Sequence, residues 1–169
     1  GYDAIRSRVD AAVPKLFTLT PRSPFEIRPV PEYSERSQAA GYYRPGTPDG
    51  SRPGIFFVNT YDLPSRTTPR METLFLHEAI PGHHFQIALA QENESLPNFM
   101  RFDGNTAFAE GWALYAESLG PELGMFTDPY QAFGSLDDEM LRAIRLVVDT
   151  GIHARGWSRE QAIRYMLDN

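Results

Sequence analysis

The spacing of apolar positions changes period twice along the chain. Between residues 3 and 18 it is helical: Ile5, Val9, Val13 and Phe17 recur every four residues and form one stripe, which predicts an amphipathic helix. Short alternating runs follow. Phe25-Glu26-Ile27-Arg28 alternates apolar and polar side chains. The runs from Gly41 to Arg44 and from Gly54 to Thr60 flank the turn-rich segment Pro45-Gly46-Thr47-Pro48-Asp49-Gly50, which reads as a hairpin with a long loop. Helical spacing then returns. Thr68-Pro69 makes a good helix start ahead of the apolar run Met71 to Leu76. Phe108, Trp112, Tyr115 and Leu119 give the next segment a helical stripe, with Asp103 or Asn105 as its cap and Gly120-Pro121 as its end. A long helix is expected from about Tyr130 to Arg155, with Leu141, Ile144, Val148 and Ile152 facing the core. A last helix opens on the capping-box pattern from Ser158 to Gln161.

These elements predict an α+β fold, mainly α-helical, with a small antiparallel sheet in the N-terminal half. We expect a single domain over residues 1–169, with strands and loops in 20–66 and helices in 67–169. The prolines agree, because eleven of the fourteen lie in the first 81 residues. A chain of 169 residues with 41% hydrophobic content can bury a real core. The net charge of −6, with Lys15 the only lysine, supplies no dense basic stripe to neutralise phosphates and argues against nonspecific nucleic-acid binding. The absence of cysteine excludes disulfides, thiolate-ligated zinc and thiol catalysis. No apolar run approaches the roughly 20 residues of a membrane span.

The chemistry is concentrated in one run. Three of the four histidines fall in His77-Glu78-Ala79-Ile80-Pro81-Gly82-His83-His84. A His-Glu pair followed by further histidines is how helical zinc peptidases gather metal ligands and a general base. The usual arrangement sets two histidines four residues apart on one helical face, but here the fourth position after His77 is Pro81. His84 shares the face of His77 in a straight helix, yet it would lie about 10.5 Å along the axis at ~1.5 Å per residue, too far for zinc bonds of about 2.0 Å. His83 would point elsewhere. Pro81-Gly82 supplies the break that resolves this, since proline removes a ladder donor and glycine accepts backbone angles other residues avoid. One helix is therefore expected to end between Glu78 and Ile80 and another to start with Pro81. His83 then becomes the equivalent of the second ligand, with His84 the competing choice. The alternative is a broken, buried helix whose histidines only satisfy backbone groups.

A two-histidine site needs a third protein ligand. Glu110, in Glu110-Gly111-Trp112-Ala113-Leu114-Tyr115-Ala116-Glu117, is the best candidate on a neighbouring helix. A glycine inside a helix costs about 1 kcal/mol relative to alanine, so Gly111 is expected to mark the close approach of another backbone or a ligand. Glu117, seven residues on, shares the face of Glu110 and is a candidate partner for a ligating histidine. On the long helix, Arg145, Asp149 and His153 stand four apart along one flank. His153 is a candidate oxyanion donor if it faces the metal, and Arg145 either binds a substrate carboxylate or pairs with Asp149. The strand before the metal helix, Ile55 to Thr60, either offers its edge to an extended peptide or only covers the helices.

The runs His77 to His84, Glu110 to Glu117 and Val147-Val148-Asp149-Thr150-Gly151-Ile152-His153 resemble the bacterial family known as domain of unknown function 885, over residues from about Tyr42 to the end. Its members are often described as lipoproteins and are similar to zinc peptidases of the thimet oligopeptidase and thermostable carboxypeptidase kind. The resemblance implies a zincin-like helical metal core holding one zinc ion through His77, one of His83 or His84, and Glu110, with Glu78 as general base and a peptide as substrate. It also implies an exported or periplasmic location with a lipid anchor, and a chain that is a fragment of a longer protein. Two other classes are kept beside this one: a non-catalytic metal-binding module and a metal-free helical interaction domain.

Overall fold

The computed structural model describes residues 1–169, of which 55% are helical, with one three-stranded sheet. Helix α1 covers Tyr2–Ala12 and is continued by a single 3-10 turn at Val13–Lys15, where Pro14 stops the α-helix short of the expected residue 18. The strands are β1, Phe25–Pro29; β2, Gly41–Arg44; and β3, Gly54–Val58. The expected hairpin is present, with β2 antiparallel to β3. The sheet as a whole is not antiparallel, however, because β1 runs parallel to β3. The strand order is β1-β3-β2, so β3 is central and has no free edge for a peptide; β2 has one. Position in the sheet explains the composition of β3, whose Gly-Ile-Phe-Phe run is buried on both faces rather than alternating.

Six further helices complete the chain: α2, Met71–Glu78; α3, His83–Glu92; α4, Asn98–Phe102; α5, Thr106–Ser118; α6, Pro129–Arg155; and α7, Arg159–Asp168. Asn105, not Asp103, caps α5 by accepting a hydrogen bond from the Phe108 amide. Ser158 and Gln161 form the reciprocal capping box that opens α7. Helix α4 is too short to show an apolar period and is not foreseen from sequence. The main core joins both halves of the chain, with Val9, Phe25 and Phe56 packed against Phe75, Leu76, Phe85 and Leu123. No helix is long and apolar enough to cross a membrane.

Two interactions fix α2, the element that carries the first histidine. Its Glu72 is buried and accepts hydrogen bonds from the Arg8 guanidinium at 2.7 Å and the Phe126 amide at 2.5 Å, tying α1 and the segment before α6 to one carboxylate. The turn just before α2 lies against α6, where Arg70 pairs with Asp137 and, at 3.3 Å, with Asp138. At that crossing a Cβ on Gly134 would stand 2.1 Å from the Pro69 carbonyl oxygen, so the helix can approach only because the side chain is missing. The expected α6 stripe is weaker than its spacing implies: Leu141, Ile144 and Val148 are half-buried and Ile152 is exposed. On α5 the buried positions are Ala113, Ala116 and Glu117, while Phe108 and Tyr115 face out. Nothing lies within 4 Å of a Cβ built on Gly111, so no other backbone makes the expected close approach there.

These two glycines give opposite expectations. Gly134→Ala should lower stability by about 1–3 kcal/mol through overpacking, whereas Gly111→Ala should raise it by up to about 1 kcal/mol through helix propensity. Urea unfolding measures both. A Gly134→Ala protein as stable as the parent would contradict the close helix crossing.

Candidate metal centre

The site is built at the break between α2 and α3. Helix α2 delivers His77 and Glu78 in its last two positions, and His83 is the first residue of α3, capped by Gly82 rather than begun by Pro81. The Ile80–Pro81 peptide is cis. A Cβ on Gly82 would lie 1.9 Å from the His77 carbonyl oxygen and 2.3 Å from that of Leu76, so this position accepts only glycine. The result brings the His77 and His83 rings edge to face with centroids 4.7 Å apart. Helix α5 is docked onto the same turn, where the Trp112 indole donates to the Pro81 carbonyl at 2.7 Å. Two residues earlier on α5, the Glu110 carboxylate faces both rings, one oxygen 3.4 Å from His77 Nε2 and the other 3.6 Å from His83 Nε2.

One ligand atom from each of His77, His83 and Glu110 lies within 4.8 Å of the others. The other side of the His77 ring is fixed as well. Its Nδ1 lies 2.6 Å from the Glu117 carboxylate, which is itself bonded to the Arg142 guanidinium of α6. A carboxylate accepts only, so Nδ1 carries a proton and donates, and in the neutral ring this leaves the Nε2 lone pair directed at the cluster. Burial alone would lower the His77 pKa, but the bond to Glu117 and the nearby Glu78 outweigh it and the value is raised. His83 is lowered by burial and by His77, which keeps its imidazole neutral, the form that binds metals. Its Nδ1 is buried without a partner.

Glu78 sits beside this cluster with a carboxylate oxygen 4.0 Å from His83 Nε2. It is buried, and burial pushes its pKa up, with His77, the Tyr43 amide and Arg142 pulling the other way. The Tyr43 amide is available because of strand register. Asn59 donates to the Ala40 carbonyl, so Tyr42 and Arg44 are also hydrogen-bonded to β3 and Tyr43 turns its backbone toward the open side of the sheet.

A family model described as bacterial protein of unknown function, DUF885, matches residues 1–169. The chain belongs to that family. Its fold is shared with a protein whose crystal structure is described as that of "the putative lipoprotein from Colwellia psychrerythraea", with a TM-score of 0.92 and 41% sequence identity. That match covers 97% of this chain and 28% of the Colwellia chain, so the sequence spans less than a third of its relative. No functionally curated protein matches.

Of the residues singled out from sequence, His77, Glu78, His83, Glu110 and Glu117 come together. His84 does not. It points the opposite way, its ring packed on Phe25 at 4.7 Å and its Nδ1 2.9 Å from the Tyr43 hydroxyl. Burial and the Arg6 charge lower its pKa to about 4, and burial raises that of Tyr43 to about 12, so both are neutral structural groups. His153 is also outside the cluster: it is exposed and its partner is Asp149, at 3.7 Å. It lies eleven residues beyond Arg142 on α6, about 16 Å of helix at ~1.5 Å per residue. Arg145 is exposed and does not pair with Asp149, whose partner is His153. The residue missed from sequence is Arg142. It shares the flank of Arg145, Asp149 and His153, and the signal was Glu117, a carboxylate that once buried requires a cation.

The role given to His84 predicts that Tyr43→Phe lowers stability by about 1 kcal/mol, the net value of a lost hydrogen bond. Chemical denaturation measures it, and an unchanged midpoint would remove the Tyr43–His84 bond from the account.

Proposed function

We propose that the protein is a zinc-dependent hydrolase that cleaves peptide bonds, with His77, His83 and Glu110 holding one zinc ion and Glu78 acting as general base. The observation that carries this reading is the convergence of two imidazole nitrogens and one carboxylate from three helices on a single point, with a second carboxylate, Glu78, beside it. The donor set suits zinc: two neutral-compatible imidazoles and an oxygen, with His77 oriented from behind by Glu117. Charge agrees. Glu78 and Glu110 face the centre and Glu117 stands behind His77, three carboxylates against one permanent cation, Arg142, a surplus of negative charge that a divalent ion would balance.

A hydrolase is favoured over a closed, non-catalytic metal module because the set has three protein ligands and one exposed side, where the Glu110 side chain is 58% accessible. Catalytic zinc sites keep a position open in this way, and structural ones do not. When bound, zinc supplies Lewis acidity and lowers the pKa of a water toward about 7. The protein supplies the rest. Glu78, with its proton affinity raised by burial, accepts the proton of the attacking water and returns it to the leaving amine. The free edge of β2, next to Glu78, is the main-chain surface on which an extended peptide would lie. The proposal extends to location: the description of the Colwellia relative as a "putative lipoprotein" supports an exported protein.

Three substitutions test the assignment. His83→Ala should lose Zn2+ to a mild chelator, while His84→Gln should keep it, as measured by metal content after dialysis. Equal retention in both would remove His83 as a ligand. Glu78→Gln should keep Zn2+ but lose about 100-fold or more in peptide hydrolysis, the usual contribution of a general base. Undiminished turnover would take Glu78 out of the mechanism.

A further inference from the structure

The polar groups around Glu117 carry one inference that deepens the proposed function and rests on it. We propose that Arg142 is a positioning residue for the metal centre, holding the Glu117 carboxylate in the one orientation that aims His77 Nε2 at the ion. Glu117 is buried, and the only cation bonded to its carboxylate is Arg142. One oxygen, Oε1, takes both bonds, from Arg142 Nη2 and from His77 Nδ1. Arg142 Nη2 also stands 3.5 Å from His77 Nδ1, too far to compete with the 2.6 Å contact to Glu117, so the guanidinium acts on the imidazole through the carboxylate.

Two further observations separate this from an ordinary ion pair. Arg142 Nε is buried with no partner, so the side chain is not placed to satisfy its own donors. The next turn of α6 toward its N-terminus carries Asp138, bonded to Arg70 in the turn that opens α2. Asp138 and Arg142, one turn apart on α6, thus pair with Arg70 at the start of α2 and with Glu117 beside His77 at its end, so α6 backs α2 from one end to the other. A free carboxylate at Glu117 could rotate about its terminal torsions and release the ring, and Arg142 removes that freedom.

Zn2+ affinity of the purified protein, measured by competition with a chromogenic chelator, tests this. Arg142→Ala should weaken binding about 10- to 100-fold, as expected for a group supporting a ligand rather than being one. Arg142→Lys should recover part of the loss, because it restores the charge without the planar fork. In a Glu117→Ala background, Arg142→Ala should cost nothing more, since its route to His77 is already gone. The visible bands of the Co2+-loaded protein should change in Arg142→Ala and return toward those of the parent in Arg142→Lys. Should Arg142→Ala fail to fold, Arg142→Gln gives the same comparison with a neutral donor. Parent-like Zn2+ affinity in the folded variant, or an equal loss with and without Glu117, overturns the assignment of Arg142 alone. A parent protein without Zn2+ affinity overturns this inference and the hydrolase reading together.

Discussion

The structure depends on a sharp break between α2 and α3 that only glycine can make, at Gly82. Its Cα lies so close to the Leu76 and His77 carbonyls that no side chain fits, and only that closeness lets α3 begin where α2 has just ended. In an unbroken helix, residues 77 and 83 would be about 9 Å apart along the axis and on different faces. The break replaces that separation with two rings in contact. The same turn sets the position of the third element, because the Pro81 carbonyl is the acceptor for Trp112 and so fixes where Glu110 stands. Each group of the centre is thus tied to one backbone feature: His77 and Glu78 just before it, His83 just after it, and Glu110 through the hydrogen bond that Trp112 of the same helix makes to it.

Electrostatics then decides what such an arrangement is for. Bringing buried carboxylates together is unfavourable unless cations accompany them. Glu72, at the other end of α2, shows the purely structural solution, a buried carboxylate answered by Arg8 and a backbone amide. Around His77 the solution is different. Arg142 is bonded to Glu117, but Glu78 and Glu110 have no guanidinium within salt-bridge distance; the nearest ionisable partners are imidazoles, and one of those, His83, is driven toward its neutral form. The mismatch between acidic groups and permanent cations is the physical difference between this cluster and the rest of the interior.

Much of this was legible in the sequence, and the failures have identifiable causes. Helix positions from residue 67 onward, α4 excepted, followed from apolar period and capping residues, and the break at Pro81-Gly82 followed from steric rules for those two residue types. The parallel pairing of β1 did not, because a strand's direction is set by a long connection and leaves no trace in its own alternation. The choice between His83 and His84 was open because the broken helix cancels the periodicity that would assign faces. It is decided by Tyr43 and Phe25, forty or more residues away, which enclose His84. Arg142 was passed over for its neighbour Arg145 because both lie on one flank of α6. Burial of Glu117, a tertiary fact, selects between them.

The most direct test of the centre is a crystal structure of the protein grown with zinc, with diffraction recorded on both sides of the zinc absorption edge. The account predicts one anomalous peak bonded to His77 Nε2, His83 Nε2 and a Glu110 carboxylate oxygen, with Glu78 beside it and unbound. A peak that includes His84, or no peak between α2, α3 and α5, would contradict it.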